Sequence, residues 1–259
     1  LFLFYVKLCR CAITCETLNH YFIYMNMYFQ PDLFPDMLNK TYNQSHTNSM
    51  QIFPPNNRFY LDICENISFT SKWQMPRITG VSLSAPNGII AFYRINKHTP
   101  SNIWPHFYTD DRRILPFLAN PYQMANRLKP TNAVIGPDIS IKPEMPLPMI
   151  IAISFYNKLL TAFMQKQGIT VVENVIWCDE SSYEPCFEGY ATNSTIAVNS
   201  TGIGNDKRAA YLWDKGYETM IEALKPTLII RYGAKRPCER TDISVYYEND
   251  NKIAARYGR

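Results

Sequence analysis

From Gly88 onward, hydrophobic and polar positions alternate between two rhythms. Short runs rich in β-branched and aromatic residues predict strands, and the stretches between them are long enough for helices. The runs are Gly88 to Ile95 (GIIAFYRI), Asn132 to Ile141 (NAVIGPDISI), Ile169 to Asp179 (ITVVENVIWCD), Ser194 to Thr201 (STIAVNST) and Thr227 to Gly233 (TLIIRYG). A sixth strand is expected at Ile243 to Tyr247. Between Asp110 and Leu128 the pattern predicts a helical region interrupted at Pro116 and Pro121. Pro146 to Gln167 predicts a long helix. Met149, Ile153, Tyr156, Leu160 and Phe163 share one face, with Ser154, Lys158, Thr161 and Gln165 opposite. Gly168 follows where a left-handed cap belongs. A second helix is expected from Asp206 to Leu224, with Ala209, Leu212, Trp213, Gly216 and Met220 as its apolar stripe and Lys225–Pro226 as its stop.

Strand–helix–strand repeats of this length imply right-handed crossovers and a parallel sheet. Near-continuous apolar runs such as VVENVI and TLII fit strands covered on both faces. The fold class is therefore α/β, a largely parallel sheet of five to six strands with crossover helices. A partial TIM-like barrel and an open doubly wound sheet both satisfy the pattern, while a full barrel needs eight strands. Phe155, Leu160, Phe163, Ile176, Trp213, Leu224 and Ile229 are the expected core. Residues 1–50 are expected to be poorly ordered or an over-extended reading frame, 51–87 a lead-in, 88–233 the α/β core, and 234–259 a C-terminal strand and tail. In the first of these, Lys7 and Arg10 follow the apolar LFLFYV stretch, the reverse of a secretory signal.

Composition narrows the function classes. At 259 residues and 46% hydrophobic, the chain is no disordered polymer. It has no run of 18 apolar residues, so no membrane span is expected. Net charge is 26 − 22 = +4, which supports at most weak, salt-sensitive nucleic-acid binding. Seven cysteines without a CxxC pair specify neither a disulfide framework nor a zinc knuckle. Reduced thiols in a cytoplasm fit best.

Parallel α/β proteins bind ligands at the carboxyl ends of their strands, where the loops converge. Four successive strand ends carry polar or aromatic groups here: Asp138; Trp177 and Asp179; Ser200, Thr201, Gly202 and Gly204; and Arg231 and Tyr232. Asp138, Asp179, Ser200 and Tyr232 are the candidate catalytic residues. The two carboxylates would hold a divalent metal or act as acid and base. Trp177, Thr201, Gly202, Gly204 and Arg231 are candidate ligand contacts, the glycine loop facing an anion through helix N–H groups. Asp138 and Asp179 are equally suited to capping helices, and Trp177 to a core position. Arg112–Arg113, Lys207–Arg208 and Lys235–Arg236 with Arg240 are the basic groups that nucleic-acid binding would use.

From about Phe92 to Gly233 the chain resembles domain of unknown function family 4417, met chiefly in bacteriophages and other mobile elements. The resemblance is carried by VIGPDISI with the following MPLP, by KQGITVVENVIWCDESSYEPCFEGY, by STIAVNSTGIG and by GYETMIEALKPTLIIRYG, in that order. It implies a phage or prophage protein working in a bacterial cytoplasm and supplies no activity. Two functional classes follow: a metal-assisted hydrolase or phosphoesterase acting at the strand ends, and a non-catalytic accessory protein that binds nucleic acid or a host protein.

Overall fold

Alternation along each strand decides this architecture. In the computed structural model, which describes residues 61–203 and 206–247, neighbouring apolar residues of one strand enter two different layers. Ile89, Trp104, Ile135, Val172, Ala197 and Ile230 form one inner cluster. Their neighbours Ile90, Ile103, Val134, Val171, Ile196 and Ile229 face the helices instead. A strand's side chains point to opposite faces with period two, so an uninterrupted apolar run is what a strand covered on both sides requires.

The elements in chain order are α1 (Leu61–Cys64), β1 (Gly88–Ala91), β2 (Ile103–His106), α2 (Asp111–Ala119), α3 (Pro121–Leu128), β3 (Val134–Ile135), α4 (Leu147–Lys166), β4 (Val171–Asn174), α5 (Glu180–Phe187), β5 (Thr195–Asn199), α6 (Lys207–Leu224), β6 (Leu228–Tyr232) and β7 (Ser244–Tyr247). A 3-10 turn, Phe92–Arg94, follows β1. β3 to β7 form a five-stranded sheet in sequence order with every pair parallel. β1 and β2 form a separate parallel pair, and β2 lies beside β3.

The sheet is curled. Laid flat, β2 and β6 would stand four strand spacings apart, about 19 Å. Instead the ring of His106, at the end of β2, lies 4.9 Å from that of Tyr232, at the end of β6. Tyr247 of β7 donates its hydroxyl to Pro86 O, just before β1, at 2.5 Å. Among the described residues no ladder joins β7 to β1, so the fold is the expected α/β parallel sheet, open rather than a closed barrel.

Most expected elements are present, with shorter strands. The expected strand from Gly88 turns into the 3-10 helix after Ala91. β2 and α5 had no counterpart in the sequence pattern. Pro105 strips β2 of one backbone donor, and α5 spans only eight residues with Pro185 inside. The expectations for residues 1–50, together with Gly204 and the tail beyond Tyr247, lie outside the described residues.

The polar side of α4 is buried, not solvated. Leu159, Leu160 and Phe163 enter the core on one side, yet Ser154, Lys158 and Thr161 are buried too. This 20-residue helix is long and apolar enough to cross a membrane, and here it is packed inside the fold. Lys158 Nζ donates to Ser154 Oγ at 2.6 Å and to Cys186 O at 2.7 Å, and sits over the Tyr190 ring. On β4, Glu173 accepts from Ser194 Oγ at 2.9 Å and Ala191 N at 3.2 Å.

Burial pushes Lys158 down to about 8, against the opposing charges of Cys186, Glu173 and Glu188. Burial lifts Glu173 to about 7, although its hydrogen bonds and Lys158 oppose this. The glutamate's contribution to stability is complete below its unfolded value near 4.5 and is lost as pH rises through about 7. The lysine's buried charge disfavours folding below about 8, and that penalty disappears between about 8 and 10.5. The joint contribution of these two groups to the urea-unfolding free energy should therefore pass through a minimum between about pH 7 and 8. Glu173→Gln should remove the falling limb; a wild-type profile with no fall between pH 4.5 and 7 contradicts the assignment.

A second prediction concerns Gly216, buried in α6 against Trp177. A Cβ there would lie 2.0 Å from Trp177 Cδ1, and Trp177 is itself held by Nε1 donating to Trp213 O at 3.2 Å. Alanine favours a helix over glycine by about 1 kcal/mol. The overlap should nevertheless win, so that Gly216→Ala lowers unfolding free energy by about 1–3 kcal/mol. A gain in stability would show that the Trp177 ring gives way.

Candidate functional site

The inward side of each strand changes character at its carboxyl end. Two residues beyond inward Trp104 comes His106, beyond Val172 comes Asn174, beyond Ala197 comes Asn199, and beyond Ile230 comes Tyr232. Period two keeps each on the inward face. The apolar layer is thus capped by a polar and aromatic one at the rim where parallel sheets bind ligands.

Asp138 is the centre of this layer. It follows β3 and keeps partial exposure. Asn174 Nδ2 donates to its Oδ1 at 2.8 Å, and Asn199 Nδ2 donates to its Oδ2 at 2.9 Å. Both amides are themselves oriented. Asn174 Nδ2 also donates to Pro137 O at 3.1 Å, while its Oδ1 accepts the Tyr108 hydroxyl at 3.1 Å. Asn199 Oδ1 accepts from Thr201 N at 2.7 Å, which leaves its amide nitrogen for Asp138. Burial raises the Asp138 carboxyl above its usual range, the two amides oppose the rise, and the nearby Asp111 charge adds to it.

Three rings form the wall beside this network. Tyr108 stacks on Tyr232 at 4.8 Å, and His106 lies 5.1 Å from Tyr108. His106 Nδ1 accepts from Tyr108 N at 3.1 Å, so the neutral ring carries its proton on Nε2. Burial, and next the Asp138 charge, push the Tyr108 phenol well above its ordinary value. Tyr190, three residues after α5, closes the network, its hydroxyl donating to Asn174 O at 2.7 Å.

The candidates named from sequence separate into groups. Asp138 and Tyr232 share one network, linked through Tyr108 and Asn174. Asp179 is the N-cap of α5, accepting from Ser181 N at 3.2 Å and Ser181 Oγ at 2.6 Å. Ser200 donates to Ala234 O at 2.8 Å and accepts from Arg231 on the helix side of the sheet. Trp177 is buried there too, tilted against Trp213 at 5.4 Å. Thr201 and Gly202 are exposed in the loop after β5.

Arg231 is fully buried. Its Nε donates to Glu239 at 2.8 Å, Nη1 to Val198 O at 2.6 Å and Tyr232 O at 3.2 Å, and Nη2 to Ser200 Oγ at 3.1 Å and to Glu239. The guanidinium therefore holds the protein together at this point, with its donors directed inward. Asn174, Asn199 and Tyr108 were not among the sequence candidates. The signal for Asn174 and Asn199 was present, since each stands two positions after an inward apolar residue. Among the described residues no group of three or more His, Cys, Asp and Glu side chains is placed to hold a metal ion.

Comparison with known proteins gives relatives in two mycobacteriophages. The chain is 29% identical over 138 residues to the Gene 1 protein of Mycobacterium phage L5, covering 53% of this chain and 60% of that one. It is 28% identical over 134 residues to the Gene 1 protein of Mycobacterium phage D29, covering 52% and 50%. The matches thus span about half of this chain and less than two thirds of either relative. No solved structure matches. The sequence profile described as Domain of unknown function (DUF4417) covers residues 67–250, a span that includes every strand described above, and the chain belongs to that family.

Proposed function

We propose that the protein is a phage-borne factor that binds a small polar ligand at the carboxyl rim of its curled sheet, with Asp138 as the contacting group. The observation that carries this reading is the Asp138 carboxylate, each oxygen fixed by one side-chain amide, on a half-buried residue at the rim. A carboxylate offers about four acceptor sites, so two amides leave capacity for a ligand. The family's phage relatives support a role in an infected bacterial cell, in the host cytoplasm.

Metal-assisted hydrolysis through Asp138 and Asp179 has less support, because Asp179 is engaged in capping α5. Nucleic-acid binding is weakened by internal neutralisation of part of the basic set. Arg112 pairs with Asp110 at 2.7 Å, Arg240 with Asp242 at 2.6 Å, and Arg236 with Asp214. Lys235 lies over the Tyr246 ring and Arg113 over the Tyr93 ring.

A fragment screen by ligand-observed NMR tests the reading. Losing a hydrogen bond to a charged group costs about 1.5–3 kcal/mol. Rim-binding fragments should therefore weaken by at least about tenfold against Asp138→Asn. Far-ultraviolet circular dichroism and melting temperature would establish that the variant is folded. Hits that bind wild type and variant equally, or no hits at all, would remove Asp138 from the role.

A further inference from the structure

Resting on the ligand-site reading above, we propose that the rim takes a planar heteroaromatic ring with N–H donors on one edge, the chemistry of a nucleobase amino edge. Three features of the rim point to this class.

The first is polarity. The open group is an acceptor, Asp138, and the charge that acts on it is another carboxylate, Asp111. Asp111 is half-buried and accepts from Ser140 N and Ser140 Oγ, both at 3.1 Å, two residues along the same loop from Asp138. The guanidinium beneath the rim, Arg231, has no side-chain exposure and is paired with Glu239. An anionic ligand group therefore meets two carboxylates, with exposed Lys142 acting on Asp111 alone, whereas an N–H donor meets a fixed acceptor.

The second is shape. Tyr232 is half-buried and its ring is nearly parallel to that of Tyr108, with 19° between the planes. Tyr108 is fixed in turn by its hydroxyl on Asn174 and by His106 beside it. A ring held in this way is a platform for stacking, and aromatic platforms contribute substantially to base binding without reading sequence.

The third is the relation of the two. Tyr108 donates to the Asn174 amide that donates to Asp138. Acceptor and ring layer are thus one side-chain amide apart and locked to each other. A single ring system with an amino edge can stack and donate at once, which a flexible polyol or a phosphate cannot.

The discriminating pair is adenine and unsubstituted purine, bicycles of the same shape that differ only in the exocyclic amino donor, present in one and absent in the other. Affinities for the full chain are measured by protein-observed NMR, with the Tyr108 and Tyr232 ring signals as the readout. Adenine should shift those signals and bind at least tenfold more tightly than purine. Asp138→Asn should remove most of that preference, and adenosine monophosphate should gain nothing over adenine. Equal binding of the two bases, or no shift up to the solubility of adenine, overturns the inference on wild-type protein alone. If fragments without N–H donors bind at Asp138 while adenine does not, the ligand site stands and its assigned chemistry falls. If neither binds, both fall.

Discussion

Arg231 brings a guanidinium with no solvent exposure to the carboxyl end of β6. Its hydrogen bonds reach Val198 O on β5, Tyr232 O on its own strand, Ser200 in the loop after β5, and Glu239 in the connection to β7. A buried charge without partners costs several kcal/mol, so these groups are obliged to stay together. The ring of Trp213 from α6 covers the other side at 4.8 Å. The rim around Asn199 and Tyr232 inherits its geometry from this cluster. The pair therefore orders the site from behind, out of reach of ligands.

Curling makes the site possible. In a flat sheet His106, Tyr232 and Asn174 would belong to separate strands facing one open surface. In the curled sheet their inward side chains converge, and Tyr108 touches both β4 and β6. The inner apolar cluster below them draws one residue from each of the first six strands, and burying it requires the same curvature. Core formation and site formation are thus one event here: the period-two alternation that fills the core with Val172, Ala197 and Ile230 continues one step further to Asn174, Asn199 and Tyr232.

Much of this was readable in the chain. The two long helices and the strands at Val171, Thr195 and Leu228 stand where the hydrophobic rhythm put them, because long periodic segments leave few alternatives. The rest was hidden for physical reasons. β2 includes Pro105 and pairs along one side only, so its sequence does not read as a strand. Ser154, Lys158 and Thr161 read as a solvated face because helical periodicity cannot report a second layer, and α5 packs there. Asp138 was legible as a strand-end acid, while its partners were not, since asparagines attract no attention as acids, bases or nucleophiles. Asp179, similar in sequence context, became a helix cap. The difference lies in whether a helix starts at the next residue, as it does at Glu180.

Asp138 stands at the rim as an acid raised by burial and held by two amides. Carbonyl-detected NMR titration of its side-chain carboxyl tests this most directly. The midpoint should lie above the ordinary 3.8, because burial outweighs the stabilising hydrogen bonds of Asn174 and Asn199. It should rise further in Asn199→Ala, where one of those hydrogen bonds is lost. A midpoint at or below 3.8, or one that falls when Asn199 is truncated, would contradict it.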